Sequence, residues 1–473
     1  MKNTTKLLAL VGVALLVPQT GCNDPLRTTI PNIVTPGQLS DSAALATVRA
    51  GVIGDFAIAY SGDHPDGSGG TEGVAMYGGL LADEWINSET FPTRIEVDAR
   101  SIDTPGGTGG LTTLNADVDL WFRRMHQARR SAENAAARYA ALAPGDPGYP
   151  EVLSLAGFTY IFFAETWCSG VPVSQLKADG SITFGRPLTT TELLDTAIAR
   201  FDQAISVSTD AGMTNLASVG KARALLDLGQ FANASAAVAG VPTDFAYVQQ
   251  HTENTERENN GVFNGNFNDQ RYAVADTEGA TGFPFRSVAD PRTQWYDAGV
   301  TGFDNSTELW SQLRYGSRKS FITVATGVEA RLIEAEAALQ ADTTSPPAAF
   351  YSALNDSRTN PSNRSYFDPN PIASGAAAIP ALSPLTAADA AAAGGAVKLL
   401  FNERARWLWL TAHRLGDLRR LIRQYGRVAD AVFPSGAYFK PTSFATYGPD
   451  VNFPIPVTEK NNPNFTGCLD RLP

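Results

Sequence analysis

Three consecutive helical patterns between residues 190 and 240 constrain the fold more than any other part of this sequence. In each pattern, apolar or small residues recur every three or four positions, as expected for one buried face of a helix. The first pattern comprises Leu194, Ala197, Ile198, Phe201, Ala204 and Ile205. The second follows a break at Gly212 and comprises Leu216, Val219, Ala222, Leu225 and Leu226. The third contains Ala232, Ala236 and Ala237. Short amphipathic helices in this order predict antiparallel helix pairs.

The turn and the small residues of this segment resemble the tetratricopeptide pattern. Gly229 lies at the predicted turn of LDLGQFANASAAVAG, and alanines follow where two helices would approach closely. One clear unit and parts of others are visible, rather than a regular array. A helical domain with alanine-rich packing is the alternative, and it predicts nearly the same architecture.

Further helical spacing surrounds this segment, and two stretches lack it. Helices are predicted over residues 42–60, 118–142, 150–167, 324–339, 387–393 and 395–425. Residues 60–115 and 241–316 mix aromatics, Asn and Gly without a period, which predicts loops and short strands. Helices therefore form the framework, about 118–240 and 320–425, and the two irregular stretches lie outside it.

The N-terminus has the form of an export signal. Lys2 and Lys6 precede the apolar stretch Leu7–Val17, which is too short to span a bilayer. Cleavage after Gly21 would make Cys22 the first residue, as in a bacterial lipoprotein whose thiol is acylated. Gln19 is atypical, because an aliphatic residue is usual three positions before that cysteine. We expect a lipoprotein signal at 1–21 and a proline-dotted tether at 22–40. An ordinary secretory signal with an incidental cysteine is the alternative.

The charge balance limits the ligand class. The net charge is −11, and it becomes −13 when Lys2 and Lys6 leave with the signal. Nucleic acids and anionic lipids are attracted to basic patches, so neither is the expected ligand. A neutral ligand or a protein partner is favoured.

Two cysteines remain in the expected mature chain, Cys168 and Cys468. Oxidising surroundings outside the inner membrane permit a disulfide between them. Two buried free thiols are the alternative, and the sequence leaves both open.

The sequence lacks motifs for catalysis. H-E-x-x-H, G-x-S-x-G and a phosphate-binding G-x-x-x-x-G-K-[ST] do not occur, and the four histidines are widely spaced. Asp83 and Glu84 are adjacent and would point in different directions on a regular element. We expect no enzyme activity, metal site or cofactor.

The segment NERARWLWLTAHRLGDLRR is both apolar and heavily charged. On the predicted helix 395–425, such a pattern indicates carboxylate–guanidinium pairs buried against neighbouring segments. The alternative is a functional pair of His413 and Asp417, one helical turn apart. No nucleophile motif accompanies that pair, which favours the structural interpretation.

These residues resemble the ER-x-x-EL-x-x-EGHR-x-x-DLRR signature of the SusD/RagB family. The matching residues are Glu403, Arg404, Leu408, His413, Arg414, Asp417, Leu418, Arg419 and Arg420. The chain departs from the signature at Trp407, Thr411 and Ala412, where the family usually has Glu, Glu and Gly. FPIPVTEKNNPN resembles the closing PIP-x-x-E-x-x-x-NP motif through Pro454, Pro456 and Glu459. Similarities to the family also occur in AGFTYIFFAETWCSGVPVS and VEARLIEAEAAL.

The resemblance implies a fold and a function. The fold would be mainly α, with tetratricopeptide-like helix pairs as a scaffold, long irregular loops and a few short strands, in one domain over 41–473. By the same resemblance, the irregular stretches 60–115 and 241–316 would face the ligand. The protein would be a cell-surface outer-membrane lipoprotein that captures a nutrient, such as an oligosaccharide, for a SusC-like TonB-dependent transporter. Cys22 would carry the membrane anchor. Uptake of peptide rather than glycan, or a helical scaffold without a small ligand, are the alternatives.

A glycan would require exposed aromatic plates with polar neighbours. Two groups of residues have this composition. The candidates are Tyr77, Asp83, Trp85 and Asn87 in the first group, and Trp295, Tyr296, Trp310 and Tyr315 in the second. Burial in the core is the alternative for each aromatic. The remaining tryptophans Trp121, Trp167, Trp407 and Trp409 lie on helical stripes and are expected in the core.

Overall fold

Helices form most of the framework in the computed structural model, which describes residues 41–63, 70, 72–102, 115–177, 180–360, 367, 376–440 and 444–473. The main helices are α1 (Leu45–Ser61), α2 (Pro92–Asp98), α3 (Ala116–Leu142), α4 (Tyr149–Thr166), α5 (Thr190–Val207), α6 (Ala211–Asp227), α7 (Phe231–Val238), α8 (Gly327–Leu339), α9 (Ala348–Thr359), α10 (Ala387–Ala393), α11 (Ala396–Trp407) and α12 (Arg414–Arg423). Shorter helical turns occupy Ser42–Ala44, Val74–Gly78, Gly79–Leu81, Glu256–Glu258, Gly261–Phe263, Asn264–Asn268, Ala429–Ala431 and Val457–Asn461.

The strands are short and antiparallel. They are β1 (Trp85–Asn87), β2 (Val171–Pro172), β3 (Gln175–Leu176), β4 (Ile182–Thr183), β5 (Pro187–Leu188), β6 (Ala246–Gln249), β7 (Tyr272–Val274), β8 (Trp295–Thr301), β9 (Glu308–Gln312) and β10 (Ile322–Thr326). Within the described ranges they form two-stranded sheets only, which pair β1 with β7, β2 with β5, β3 with β4, β6 with β10 and β8 with β9. This architecture confirms the predicted mainly α fold.

The helix pairs form as the sequence predicts, but the predicted contact face of α7 is wrong: Ala234 and Val238 are buried, whereas Ala232 and Ala236 are exposed. Thr189 and Glu192 form a capping box at the start of α5, and Asp210 caps α6 through the N–H of Met213. Phe201 of α5 lies between two glycines: a Cβ atom on Gly157 or Gly220 would fall 2.7 Å or 2.3 Å from its ring. Only glycine permits such close contact, which explains the small residues on α4 and α6. The break before α6 lies at 208–210, so Gly212 belongs to its first turn.

Aromatic rings fill the centre of the helical stack. Trp121 and Trp167 have ring centroids 5.0 Å apart, and Phe453 packs edge-on against Trp121 at 5.0 Å. Trp407 and Trp409 are equally buried, with exposed fractions of 1% and 0%. The core positions predicted for all four tryptophans are therefore confirmed.

The predicted helix over 395–425 is wrong in one respect, because the chain breaks it between α11 and α12. Leu410 and Ala412 adopt positive φ values of 57° and 62°. Side chains from distant segments bond the backbone released by the break: Arg314 donates to the Trp409 carbonyl at 2.8 Å, and Tyr315 donates to that of Leu410 at 3.1 Å. These tertiary hydrogen bonds outweigh the helical tendency of the local sequence. The helix predicted over 324–339 likewise begins later, at Gly327, because Ile322–Thr326 pairs with β6 and Thr326 caps α8.

Helix α1 is apolar, and with the preceding turn it spans Ser42–Ser61 at a mean hydropathy of 1.4. By length and composition it could cross a membrane, but a buried core helix satisfies the same test. Val52, Phe56 and Tyr60 are almost fully buried, and α1 packs on α3 and α4.

A disulfide joins Cys168, just after α4, to Cys468 near the C-terminus, with Cα atoms 5.8 Å apart. Leu469 also donates a backbone hydrogen bond of 2.8 Å to Ser169. Of the two alternatives that the sequence left open, this structure contains the bonded pair. The predicted signal 1–21, the tether 22–40 and Cys22 lie outside the described residues.

Candidate functional site

The signature residues form buried ion pairs, as the charge pattern predicts. Glu403 accepts bonds from Arg292 at 2.6 Å and from Arg358 at 2.9 Å. Burial alone would raise the pKa of Glu403, but the two guanidinium groups hold it below its usual value. The Glu403 carboxylate therefore joins α11 to α9 and to the loop that contains Arg292.

A second network joins α11 and α12 to α8. Asp417 accepts from Arg404 at 2.8 Å and from Arg420 at 2.8 Å, and Arg420 also binds Glu336. Each of these four side chains belongs to a residue that is at most 3% exposed. The arrangement holds helices together and leaves these carboxylates occupied.

His413 and Asp417 do not act as a pair. The Nε2 atom of His413 lies 3.1 Å from Glu329 and 2.8 Å from Arg223, whereas Asp417 is held by the arginines named above. Burial, together with Arg223, lowers the pKa of His413. The structural interpretation of this pair therefore agrees with the contacts, and the functional alternative does not.

The closing motif also has a packing role. Pro454 and Pro456 are buried. The residue before them, Phe453, donates its N–H to the carbonyl of Thr166 at 2.8 Å, which attaches this segment to the end of α4. Glu459 lies in the following turn, where burial raises its pKa.

The first group of candidate ligand residues lies in the core, which corrects the expectation for all four. Tyr77 stacks on Phe453 at 5.9 Å, and Trp85 is 1% exposed. Asp83 forms a two-pronged pair with Arg414, at 2.6 and 2.7 Å. Asn87 accepts from Lys440 at 3.0 Å. These side chains therefore contact other residues of the core rather than a ligand. Burial in the core was the alternative that the sequence left open for each aromatic residue.

The second group is divided. Tyr315 is buried, and its hydroxyl donates to Leu410, so its assignment to the ligand surface is also corrected. Trp295 and Trp310 are half-buried, with ring centroids 5.3 Å apart and nearly perpendicular. The Arg286 guanidinium lies 4.4 Å from the Trp310 ring centre. Tyr296 is also half-buried and contacts Phe267 at 6.1 Å.

Arg286 connects the tryptophans to a cleft of about 540 Å³. The cleft lies between residues 276–280 and 435–439, and Glu278, Ser435 and Tyr438 add polar groups to its lining. Its size is within the range of small-ligand sites.

A more exposed aromatic surface lies at the tip of the β8–β9 hairpin, and we call Phe91, Arg271 and Phe303 the tip patch. Phe91 and Phe303 are each 46% exposed, and their ring centroids lie 6.1 Å apart at 29°. The Arg271 guanidinium lies 5.1 Å and 4.7 Å from the two ring centres, while its side chain is only 13% exposed. A mostly buried cation thus supports two aromatic side chains that are each nearly half exposed to solvent.

The hairpin tip is held tightly against the end of β1. Asp304 donates its N–H to the Ser88 carbonyl at 3.0 Å, and Phe303 donates to that of Gln270 at 2.9 Å. A Cβ atom on Gly302 would lie 2.4 Å from that of Ser88, so this approach requires glycine. The tip patch is therefore formed by segments that are far apart in the sequence.

Charged groups fix the inner side of the patch. Arg271 donates to Glu89 at 2.7 Å, and Lys440 binds Asp304 at 2.6 Å. Burial raises the pKa of Glu89 above its usual value, and the positive charges of Arg94 and Arg271 offset only part of this rise. The exposed polar neighbours in sequence are Thr90, Asn305 and Ser306. The patch can therefore offer apolar plates with hydroxyl and amide groups beside them, and its supporting charges are already paired.

Phe91 and Phe303 are not among the ligand residues that the sequence predicted. Each stands among turn-forming residues, in ETFPT and GFDNS, outside any apolar period. A lone phenylalanine in such a turn has no obvious core to enter, and this is the signal that could have revealed both. Among the described residues, no group of three or more His, Cys, Asp or Glu could hold a metal ion.

No protein-family model matches the sequence, and no curated protein matches it either. Solved structures do match in fold. A SusD/RagB family protein from Bacteroides thetaiotaomicron has a TM-score of 0.61 at 12% identity, covering 88% of this chain and 94% of that one. A laminarin-binding SusD-like protein has a TM-score of 0.59 at 12% identity, covering 91% and 99%. A SusD-like carbohydrate-binding protein from Bacteroides fragilis has a TM-score of 0.58 at 12% identity, covering 90% and 99%. The chain therefore has the SusD-like fold that its signature motifs predicted.

Proposed function

We propose that this protein is a non-catalytic, cell-surface lipoprotein that binds a glycan through the tip patch. The observation that carries this proposal is the exposed Phe91–Phe303 pair, supported by a paired and mostly buried arginine. Two proteins of the same fold are described as laminarin-binding and carbohydrate-binding, which supports a glycan as the ligand class here.

The chemistry of the patch suits a sugar ring. The C–H faces of a pyranose are apolar, and they pack well on flat aromatic rings. Thr90, Asn305 and Ser306 are exposed beside the rings and would bond sugar hydroxyls. Because the hairpin tip is already fixed by backbone hydrogen bonds, little ordering would accompany binding. The net charge of −11 favours a neutral glycan over an acidic one.

The half-buried residues Trp295, Tyr296 and Trp310 stand on the same hairpin and would contact the further units of a longer chain. Arg286 and the 276–280 cleft beside them would provide hydrogen-bond donors and acceptors. A glycan of several units is therefore a better match than a monosaccharide.

Binding can be tested by calorimetry of the purified protein against a panel of neutral oligosaccharides that includes laminarin fragments. Phe91→Ala and Phe303→Ala should each weaken binding about tenfold, the loss expected when an aromatic contact worth about 1.5 kcal/mol is removed. Phe184→Ala is the matched control, since Phe184 is 40% exposed outside the patch. Equal affinity of the patch variants and the control would contradict the assignment. Heat from peptides, with none from any glycan, would favour peptide uptake instead.

We further propose that Cys22 is acylated and that residues 22–40 tether the protein to the outer membrane, where a SusC-like TonB-dependent transporter accepts the ligand. The Gly-Cys pair after an apolar stretch supports the anchor, and the family resemblance supports the partner. Two acyl chains would be required for stable anchoring. Mass spectrometry of the N-terminal peptide, with Cys22→Ser as control, tests the anchor. Co-purification of a barrel from outer membranes tests the partner, whereas co-purification with soluble proteins alone would favour a helical scaffold.

A further inference from the structure

A pocket between α11 and α12 lies apart from the hairpin and has a different character. Its volume is about 400 Å³, within the range of small-molecule sites. Most of its wall is apolar. The apolar lining residues are Phe283, Val397, Phe401, Leu418, Leu421, Ala431 and Val432.

The charged residues that line this pocket are all positive. Lys398 and Arg427 line it and are solvent-exposed, and neither forms an ion pair within the described ranges. The lining contains no acidic residue. In a chain with a net charge of −11, this is a local reversal of sign, and it would attract an anion.

Arg414 adds a donor to the pocket wall. Its Nε and Nη2 atoms donate to Asp83 at 2.6 and 2.7 Å. The third nitrogen, Nη1, donates no hydrogen bond to the part of the chain that is described, although the side chain is only 7% exposed. Because this nitrogen lies in the pocket wall with its donor capacity unused by the described residues, it can donate to an acceptor oxygen of a ligand.

We propose that this pocket binds a small amphipathic carboxylate that carries an oxygen at its apolar end. The apolar ring or chain would pack against the wall that includes Phe283 and Phe401. The carboxylate would lie near Lys398 and Arg427, and the distal oxygen would accept from Arg414 Nη1. The site is built by the helices that carry the signature, and it does not depend on the glycan surface of the hairpin.

The probe is 4-hydroxycinnamate, titrated into the purified full chain and followed by ligand-observed NMR and calorimetry. Saturable binding is expected, and the uncharged 4-hydroxycinnamamide should bind at least about tenfold more weakly. Lys398→Gln and Arg427→Gln should each lower the affinity about fivefold, as expected for one exposed charge contact. Lys177→Gln is the matched control, since Lys177 is exposed and lies outside the pocket lining.

A space-filling variant gives a second readout. Val397 is half-buried on the pocket wall, and Val397→Phe should abolish binding while the thermal midpoint stays close to that of the parent. If that variant unfolds, the two charge variants decide alone. The proposal fails if the acid does not bind, if the amide binds as tightly as the acid, or if the double variant Lys398→Gln/Arg427→Gln binds as the parent does.

Discussion

The carboxyl group of Glu84 accepts a hydrogen bond of 2.7 Å from the backbone N–H of Leu410, 326 residues later in the chain. Leu410 has a φ of 57° and lies in the turn that separates α11 from α12. The segment before β1 thus stabilises the break in the signature helix. Glu84 is fully buried, and burial raises its pKa to about 8.

This relationship predicts a pH effect on stability. Since the pKa in the folded protein is above its value of about 4.5 in the unfolded chain, the folded state binds the extra proton between the two values. The contribution of Glu84 to the free energy of unfolding is therefore present at about pH 4.5 and lost as the pH rises to about 8. Glu84→Gln keeps the acceptor oxygen and does not titrate. The stability of the variant relative to the parent should rise by about 2–4 kcal/mol between about pH 5 and pH 8.5, measured by urea unfolding. A difference that stays constant with pH would contradict the assignment.

Ala412 offers a stabilising substitution. Its φ of 62° is in the left-handed region, where a side chain costs about 1 kcal/mol. Ala412→Gly should raise the free energy of unfolding by about 0.5–1 kcal/mol. Ala405→Gly is the matched control, since Ala405 is also buried but lies in the regular helix α11, where glycine should destabilise by about 1 kcal/mol. The same sign for both variants would show that the backbone of Ala412 is not strained.

Glu403 should be among the costliest residues to remove. Glu403→Ala removes the carboxylate that joins Arg292 to the mostly buried Arg358. Arg292 keeps its bonds to Asp290, so we expect a cost of about 3 kcal/mol, at the lower end for breaking a buried pair. Glu192→Gln is the control, because the Glu192–Arg186 pair is exposed and should contribute less than about 1 kcal/mol. Chemical denaturation of both variants measures the contrast. Similar losses would mean that the buried network contributes little.

Gly302 should control the geometry of the tip patch. In Gly302→Ala the new methyl would meet Ser88, so we expect the hairpin tip to shift and stability to fall by about 1–3 kcal/mol. Glycan affinity should fall with it, because Phe303 is the next residue. Gly54→Ala is the control: Gly54 lies in α1 with open space around its Cα, so this change should leave binding intact and stability equal or higher. Unchanged glycan affinity in Gly302→Ala would separate the binding site from the hairpin tip.

Elements with a strong local period were predictable. The apolar spacing around Phe201 predicted α5, and α10 begins and ends at the predicted residues. The break at Leu410 was not predictable, because the groups that bond its backbone come from Glu84 and Tyr315. The same limit applies to the binding surface. Trp85 and Phe91 are only six residues apart, yet one is core and the other is exposed, since their environments are set by segments near 272 and 303.

The sequence alone determined the helical framework, because the 3.6-residue period of apolar and small side chains is a local property. It also determined the burial of the signature charges. Arginines and carboxylates that alternate so closely with leucine and tryptophan must pair with one another when the helix packs. Only the tertiary structure decided which aromatic rings remain open to a ligand. Exposure depends on what the rest of the chain places over a ring, and at Phe91 and Phe303 those neighbours come from a hairpin and a strand end that meet only in the folded protein.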